Sequence, residues 1–270
     1  MNGKLKELRS SPHLSNSQLN CFLGCGLQFY FKYQLGLPER FRSSALVLGS
    51  ATHRVLEDYY SALVGGEVLS SDDLQELFEL RFQWICASGE DVRYKKGEDY
   101  QCLVEKGKSL IKCFSENLPE EDARVLFVEE AFSIDLPGVE LPVVGAMDLV
   151  LETDDSLIVV DHKTAARAYS NVDIDLMEQL TLYKMAIAEL YPNDNEVLLR
   201  LDVLVKTKEP RLEQYWTSRD WLDQQRLIKK YQVLESSIKA GNFIPVDGGF
   251  RCGGCSYTEE CKQWGSAEAA

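Results

Sequence analysis

The sequence predicts a mixed α/β (α+β) protein. Three observations carry the prediction: apolar residues at helical spacing through residues 14–117, β-rich runs between 125 and 165, and a helix, strands, helix succession from there to Gly241. Residues 14–35, LSNSQLNCFLGCGLQFYFKYQL, place Ser15 or Ser17 as an N-cap and interrupt the helical pattern at Gly24 and Gly26, so a helix, a break and a second helix are expected. ALVLGSATHRVLEDYYSALVGG (45–66) reads as a helix closed by Gly65 and Gly66, with His53 in its early turns. Residues 72–117 give two amphipathic helices around a polar segment near 89–98. The segments VLFVEEAFSIDL (125–136), LPVVGAMDLVLET (141–153) and SLIVVDHKTA (156–165) read as strands, the last two joined by a tight turn at Thr153, Asp154, Asp155 and Ser156. A helix from about Asp173 to Leu190 should stop before Pro192. EVLLRLDVLVKTK and EQYWTS follow as strands, then a helix from about Asp220 to Ala240 closed by Gly241. The tail FIPVDGGFRCGGCSYTEECKQW is too irregular to be held by a core alone. With no internal repeat, the expectation is one domain over 1–270: a mainly helical part at 14–120, a core at 125–240 and a cysteine knuckle at 243–264.

Composition narrows the classes. At 270 residues with 45% hydrophobic content, the chain is long enough for a genuine core. No run of about 18 apolar residues would span a bilayer, and the N-terminal residues lack the apolar centre of a signal peptide, so no membrane partner and a cytoplasmic location are expected. Lys plus Arg number 29 against 43 Asp plus Glu, a net charge of -14 that repels polyanions at long range. Nucleic acid stays open as a partner, because a cleft needs only local positive charge and metal ions. The clusters Arg93, Lys95, Lys96; Lys206, Lys208, Arg211; and Lys229, Lys230 offer the charge, although each alone reads as a solvated face. Eight cysteines in a reducing compartment are not expected to form disulfides. Cys21, Cys86, Cys102 and Cys113 lie in helix-like stretches and read as small apolar residues, whereas Cys252, Cys255 and Cys261 crowd into the tail.

Residues 143–165, VVGAMDLVLETDDSLIVVDHKTA, end two apolar runs on acids, the second followed at once by a lysine. Burying an unpaired carboxylate is costly, so these groups call for a metal, a partner or water. Across a hairpin Asp148 and Asp161 can approach one another, and a divalent cation with a taste for hard oxygen, Mg²⁺ or Mn²⁺, resolves their repulsion. Alternation along the strand puts Asp161 and Lys163 on one face and His162 on the other. A lysine beside metal-bound carboxylates can orient or help deprotonate a water and stabilise the extra charge of a phosphoryl transition state. The same three residues could equally form a partly exposed ion network at a strand end.

The pattern GAMD (145–148) followed by DHK (161–163) resembles the PD-(D/E)xK nucleases, with Gly145 in the place of the nominal proline. GSATHRVLE (49–57) looks like the G-x-x-x-H helix of the RecB-type branch, and EQLTLYKMA (178–186) is similar to its Q-x-x-x-Y element. The resemblance implies a restriction-endonuclease-like core, a central mixed sheet flanked by helices, with a helical N-terminal insertion. It also implies metal binding by His53, Asp148, Asp161 and the main-chain carbonyl of His162, with Lys163 handling the water and Gln179 and Tyr183 positioning the lysine or the substrate strand. Lys206 is implied as a further phosphate contact. Cys252, Cys255 and Cys261, taken with the distant Cys25, are similar to the iron-sulfur staple of AddB-type and CRISPR-associated exonucleases, which implies a structural [4Fe-4S] cluster. Cys25 precedes Gly26 where that family usually has proline, and Cys21, one turn earlier, is an alternative fourth ligand. Four thiolates could equally hold zinc. The implied function is a Mg²⁺- or Mn²⁺-dependent DNA exonuclease in DNA repair, recombination or phage or CRISPR DNA processing, with DNA ends as partner and a protein partner possible. The alternatives are a non-catalytic iron-sulfur DNA-end-binding subunit and a zinc-knuckle interaction protein whose acids are structural.

Overall fold

A computed structural model of the chain describes residues 3–118, 122–192 and 195–265. The helical part begins with α1 (Gly3–Leu8), α2 (Asn16–Gly24) and α3 (Gly26–Phe29), the last running into a π-helical turn at Tyr30–Gln34. Of the two serines that could cap α2, Ser15 does so, its Oγ accepting from the Gln18 N–H at 3.2 Å. Then come the two-residue β1 (Arg42–Ser43), α4 (Ser44–Val64), α5 (Ser71–Ala87), β2 (Val92–Arg93) and α6 (Tyr100–Glu116). The boundary expected near residue 120 lies outside the described residues. The core elements are β3 (Arg124–Ile134), β4 (Val143–Glu152), β5 (Ser156–Ala165), α7 (Asn171–Asp175), α8 (Glu178–Leu190), β6 (Glu196–Val205), β7 (Arg211–Thr217) and α9 (Trp221–Ala240), followed by the short α10 (Gly249–Gly253) and α11 (Thr258–Gln263).

Strands β3 to β7 form one sheet in chain order, with β5 and β6 parallel and the other neighbours antiparallel. Both faces are covered, which is why the strands read as near-continuous apolar runs. On one face Leu157, Val159, Leu201 and Val203 pack with Leu180 and Ile187 of α8 and Leu227 and Leu234 of α9. On the other, Ile158, Val160 and Leu204 pack with Val55 of α4, Phe78 of α5 and Leu110 of α6. The N-terminal helices are therefore a layer of the fold rather than an appendage to it.

The β4–β5 hairpin pairs only from Leu149↔Val160 to Glu152↔Leu157. Beyond that point β5 stays registered on β6 as far as Ala165, while β4 stays on β3 as far as Val143, so the sheet forks at Asp148 and Asp161. Of the expected helix over 173–190, two pieces form. Arg219 donates to the Ile174 carbonyl at 2.6 Å, which an unbroken helix would offer to the Glu178 N–H, and α7 ends there. The chain ends meet where the Leu27 N–H donates to the Ile244 carbonyl at 3.0 Å. Gly26 allows this approach, since a Cβ there would lie 3.1 Å from that oxygen.

Gly145 has a packing reason of its own: a Cβ would sit 2.5 Å from the ring of the buried Phe132, itself edge-on to Tyr183 at 6.1 Å. Overpacking of this kind costs about 1–3 kcal/mol. Gly145→Ala should therefore lower the denaturant midpoint by a corresponding amount in equilibrium unfolding; an unchanged midpoint would mean the ring moves freely.

Candidate active site at the fork of the sheet

Asp148 occupies the fork. Its Oδ2 lies 2.7 Å from Nε2 of His53 and accepts the His162 main-chain N–H at 2.8 Å, while Tyr183 donates to Oδ1 at 3.4 Å. Three elements, α4, β5 and α8, thus converge on one carboxylate. The G-x-x-x-H spacing explains how α4 arrives: Gly49 lies against Thr164 at the end of β5, where a Cβ would be 3.1 Å from Oγ1, and His53 projects one turn later.

Asp161 is fully buried, at 0% exposure, and is paired with Lys163, whose Nζ lies 2.7 Å from Oδ2 and 3.0 Å from Oδ1. Lys163 also donates to Gln179 Oε1 at 3.0 Å, and Gln179 Nε2 donates to Tyr183 Oη at 2.6 Å. A directional chain runs from Lys163 through Gln179 and Tyr183 to Asp148, with each donor matched to an acceptor. Gln179 and Tyr183, four apart on α8, share the helix face that makes this possible. His162 projects to the opposite face, its ring stacked on Tyr60 at a centroid separation of 5.7 Å.

Burial raises the Asp161 carboxyl to about 6, helped by Asp148 and opposed by Lys163. For Asp148 burial also acts upward, but His53 and then Lys163 overcome it and hold the group below the ordinary carboxylate range. Burial works against a charged His53, yet Asp148 and Glu129 lift it to about 10. Burial likewise opposes a charged Lys163, and Asp161 and Asp148 keep it protonated above the ordinary lysine value.

Glu129 is the residue that sequence reasoning missed. It lies on β3 between the pairs Val128↔Leu149 and Glu130↔Met147, opposite Asp148, and has a positive φ of 52°. Its Oε1 lies 3.4 Å from His53 Nδ1. His53, Glu129 and Asp148 each offer a ligand atom within 4.8 Å of the others; Asp161 is not in this group and is paired with Lys163. The available signal was the pair Glu129-Glu130 inside an alternating strand, where one of two adjacent acids must face inward. An imidazole and hard carboxylate oxygens suit Mg²⁺ or Mn²⁺. These groups line a cavity of about 630 Å³ together with Lys163, Gln179 and Tyr183. Lys206 does not line it; its main-chain N–H caps β5 by donating to Ala165 at 2.7 Å.

The cysteines lie near the junction of residues 25–31 with 243–261, although among the described residues no three of their sulfurs come within 4.8 Å of one another. Cys25 Sγ accepts from the Val246 N–H at 3.4 Å, and Cys252 Sγ lies 3.6 Å from the Val246 carbonyl. Cys25, Cys255 and Cys261 pack around Leu27, Phe31 and Tyr257. Burial pushes the Cys261 thiol up, and Cys25, Cys255 and Cys252 add to the shift. Cys21 is raised further, to about 11, chiefly by burial.

At the sheet fork, a buried acid, a histidine and a second carboxylate with ligand atoms within 4.8 Å of one another could hold a divalent ion, and the Asp161–Lys163 pair, acid and lysine two residues apart, lies beside them. The sequence profile of the PD-(D/E)XK nuclease superfamily matches residues 13–262, and the chain belongs to that superfamily. The five-stranded mixed sheet between helical layers is accordingly restriction-endonuclease-like. The chain is similar to the Gene 69 protein of Mycobacterium phage L5, at 25% identity over 293 residues spanning 93% of this chain and 96% of that protein. It is also similar in fold to a crystal structure from Eubacterium rectale provisionally named an exonuclease, with a TM-score of 0.59 at 11% identity over 97% of this chain and 92% of that one.

If Glu129 orients His53 toward a metal or binds the ion itself, Glu129→Gln should weaken Mn²⁺ binding about 10- to 100-fold in calorimetric titration, the range for removing a carboxylate behind a ligating histidine. Unchanged affinity would make the contact incidental.

Proposed function

We propose that the chain is a Mg²⁺- or Mn²⁺-dependent DNA exonuclease, acting on DNA ends in repair, recombination or phage or CRISPR DNA processing. The observation that carries the chemistry is the hydrogen-bonded chain from Lys163 through Gln179 and Tyr183 to Asp148, ending beside His53 and Glu129. His53, Asp148, Asp161 and the His162 carbonyl would hold the metal, with Glu129 adjoining. When bound, the ion supplies Lewis acidity toward the phosphate and lowers the pKa of a water.

The protein groups act around it. Lys163, kept protonated, places positive charge at the cavity wall, where it stabilises negative charge developing on a phosphate. Gln179 holds the lysine by its carbonyl and Tyr183 by its amide, so neither end of the chain drifts. Asp148 is kept ionised and so is ready to ligate. The choice of exonuclease within the superfamily rests on the RecB-type motifs around His53, Gln179 and Tyr183. A cytoplasmic setting and a protein partner that adds DNA affinity to this acidic chain complete the reading.

For Cys25, Cys252, Cys255 and Cys261 the reading is a structural [4Fe-4S] cluster. Its support is the convergence of these thiols from the two ends of the chain around Val246 and Tyr257. Metal-ligand energy there would become folding energy.

End-labelled single- and double-stranded DNA incubated with Mn²⁺ tests the chemistry. Lys163→Ala and Asp148→Ala should each lose about 100-fold or more in rate. Lys163→Ala should still fold, because Asp161, already raised to about 6, can take up a proton when its partner goes. Equal degradation by all three proteins would overturn the site assignment. The cluster is tested by colour: broad visible absorption is expected, with Cys255→Ser losing stability before chemistry, and a colourless, zinc-containing protein would refute it.

A further inference from the structure

A second cavity, of about 740 Å³, opens beside the N-terminus of α4. Arg93, Lys95 and Lys96 line it from the end of β2 and the loop that follows, and Phe41 and Tyr94 give it aromatic walls. The glycines of the cysteine segment, Gly249, Gly253 and Gly254, form its far side. No carboxylate belongs to this lining among the described residues, although the chain as a whole carries a net charge of -14. The nearby acid, Glu98, is already committed: it accepts from Ser44 Oγ at 2.8 Å, from Lys106 Nζ at 3.1 Å and from the Lys95 main-chain N–H at 3.4 Å. Arg93 lies over the Phe41 ring at 4.7 Å. Lys206, the cation left out of the catalytic cavity, faces the same cluster, its pKa lowered by burial and then by Lys95 and Lys106. Glu98 offsets part of this repulsion, since it pairs with Lys106 and acts on Lys206 in the opposite direction.

The two cavities share α4. Ser43 and Ser44 line the second, and Ala45, Leu46 and His53 line the catalytic one. The distance along the helix from Ser44 to His53 is about 13 Å at 1.5 Å per residue, a few nucleotides of backbone. Cationic side chains interleaved with aromatic rings are the surface that tracks a single strand.

We propose that this cavity seats the phosphates of a single DNA strand that runs along α4 into the catalytic cavity, with Arg93, Lys95 and Lys96 on the phosphates and Tyr94 and Phe41 beside the bases. The proposal rests on the nuclease reading and adds a strand path to it. The cysteine segment then has a second consequence, since it forms one wall of the seat.

The test measures binding without turnover. Full-length protein in EDTA is titrated by anisotropy against fluorescein-labelled (dT)12 and (dT)3 across a range of salt, using wild type and Arg93→Gln/Lys95→Gln/Lys96→Gln. All three side chains are exposed, so the variant should melt like wild type; Lys95→Glu alone serves as the second variant if it does not. The triple variant is expected to bind (dT)12 about tenfold or more weakly, with the salt slope reduced by about 2, as for three single-strand phosphate contacts. Its (dT)3 affinity should change little. Unchanged (dT)12 affinity and slope would overturn the proposal. So would equal losses on a 12-base-pair duplex, or displacement of (dT)12 by polyglutamate as readily as by unlabelled (dT)12. Because metal is absent, a chain that fails to cleave DNA with Mn²⁺ leaves this result standing, and an active nuclease with an unaffected triple variant sinks only the strand path.

Discussion

The carboxylate of Asp148, lodged where β4 and β5 part, is the constraint on which the rest of the structure depends. It is reached by a histidine from one helical layer, a main-chain N–H from the adjacent strand and a tyrosine from the other layer. Such a group is tolerated in an apolar sheet only because donors surround it. Each donor in turn requires a whole element to be correctly seated: α4 through Gly49 on Thr164, α8 through its apolar face, β5 through its parallel register on β6. The two cores therefore serve the site by fixing the approach of the helices to a few tenths of an ångström, the tolerance that hydrogen-bonded chemistry demands.

Behind that carboxylate lies a second layer of charge. The Asp161–Lys163 pair is buried, and breaking such a pair by removing one member typically costs about 3–5 kcal/mol unless the survivor changes its ionisation. The raised carboxyl of Asp161 provides that outlet, so the lysine can be exacting in geometry without making the fold hostage to it.

Much of this was legible in the sequence because periodicity is a local property. Two-residue alternation sets Leu157, Val159 and Asp161 against Ile158, Val160 and His162, and it placed His162 away from Asp161 and Lys163, where the structure has it stacked on Tyr60. What was not legible came from long-range contacts. The helix expected over 173–190 breaks where the Ile174 carbonyl accepts from the Met177 N–H and, some 45 residues on, from Arg219. Glu129 enters the site because β3 turns through a positive φ opposite Asp148, a backbone feature with no local sequence signature beyond two adjacent acids. Asp148 and Asp161 lie close enough for Asp148 to raise the Asp161 carboxyl, but the carboxylate grouped with Asp148 and His53 is that of Glu129, while Lys163 pairs with Asp161. Lys206, read as a further phosphate contact, follows directly on β6, outside the lining of the catalytic cavity and within electrostatic reach of Lys95 and Lys106.

The central claim, that the fork of the sheet is a metal site, is most directly met by anomalous diffraction from crystals grown with Mn²⁺. The account predicts a single strong peak or a close pair of peaks within coordination distance of Asp148, His53 and at least one of Glu129 and Asp161. Peaks confined to other carboxylates of this acidic surface, with His53 Nε2 still bonded to Asp148, would contradict it.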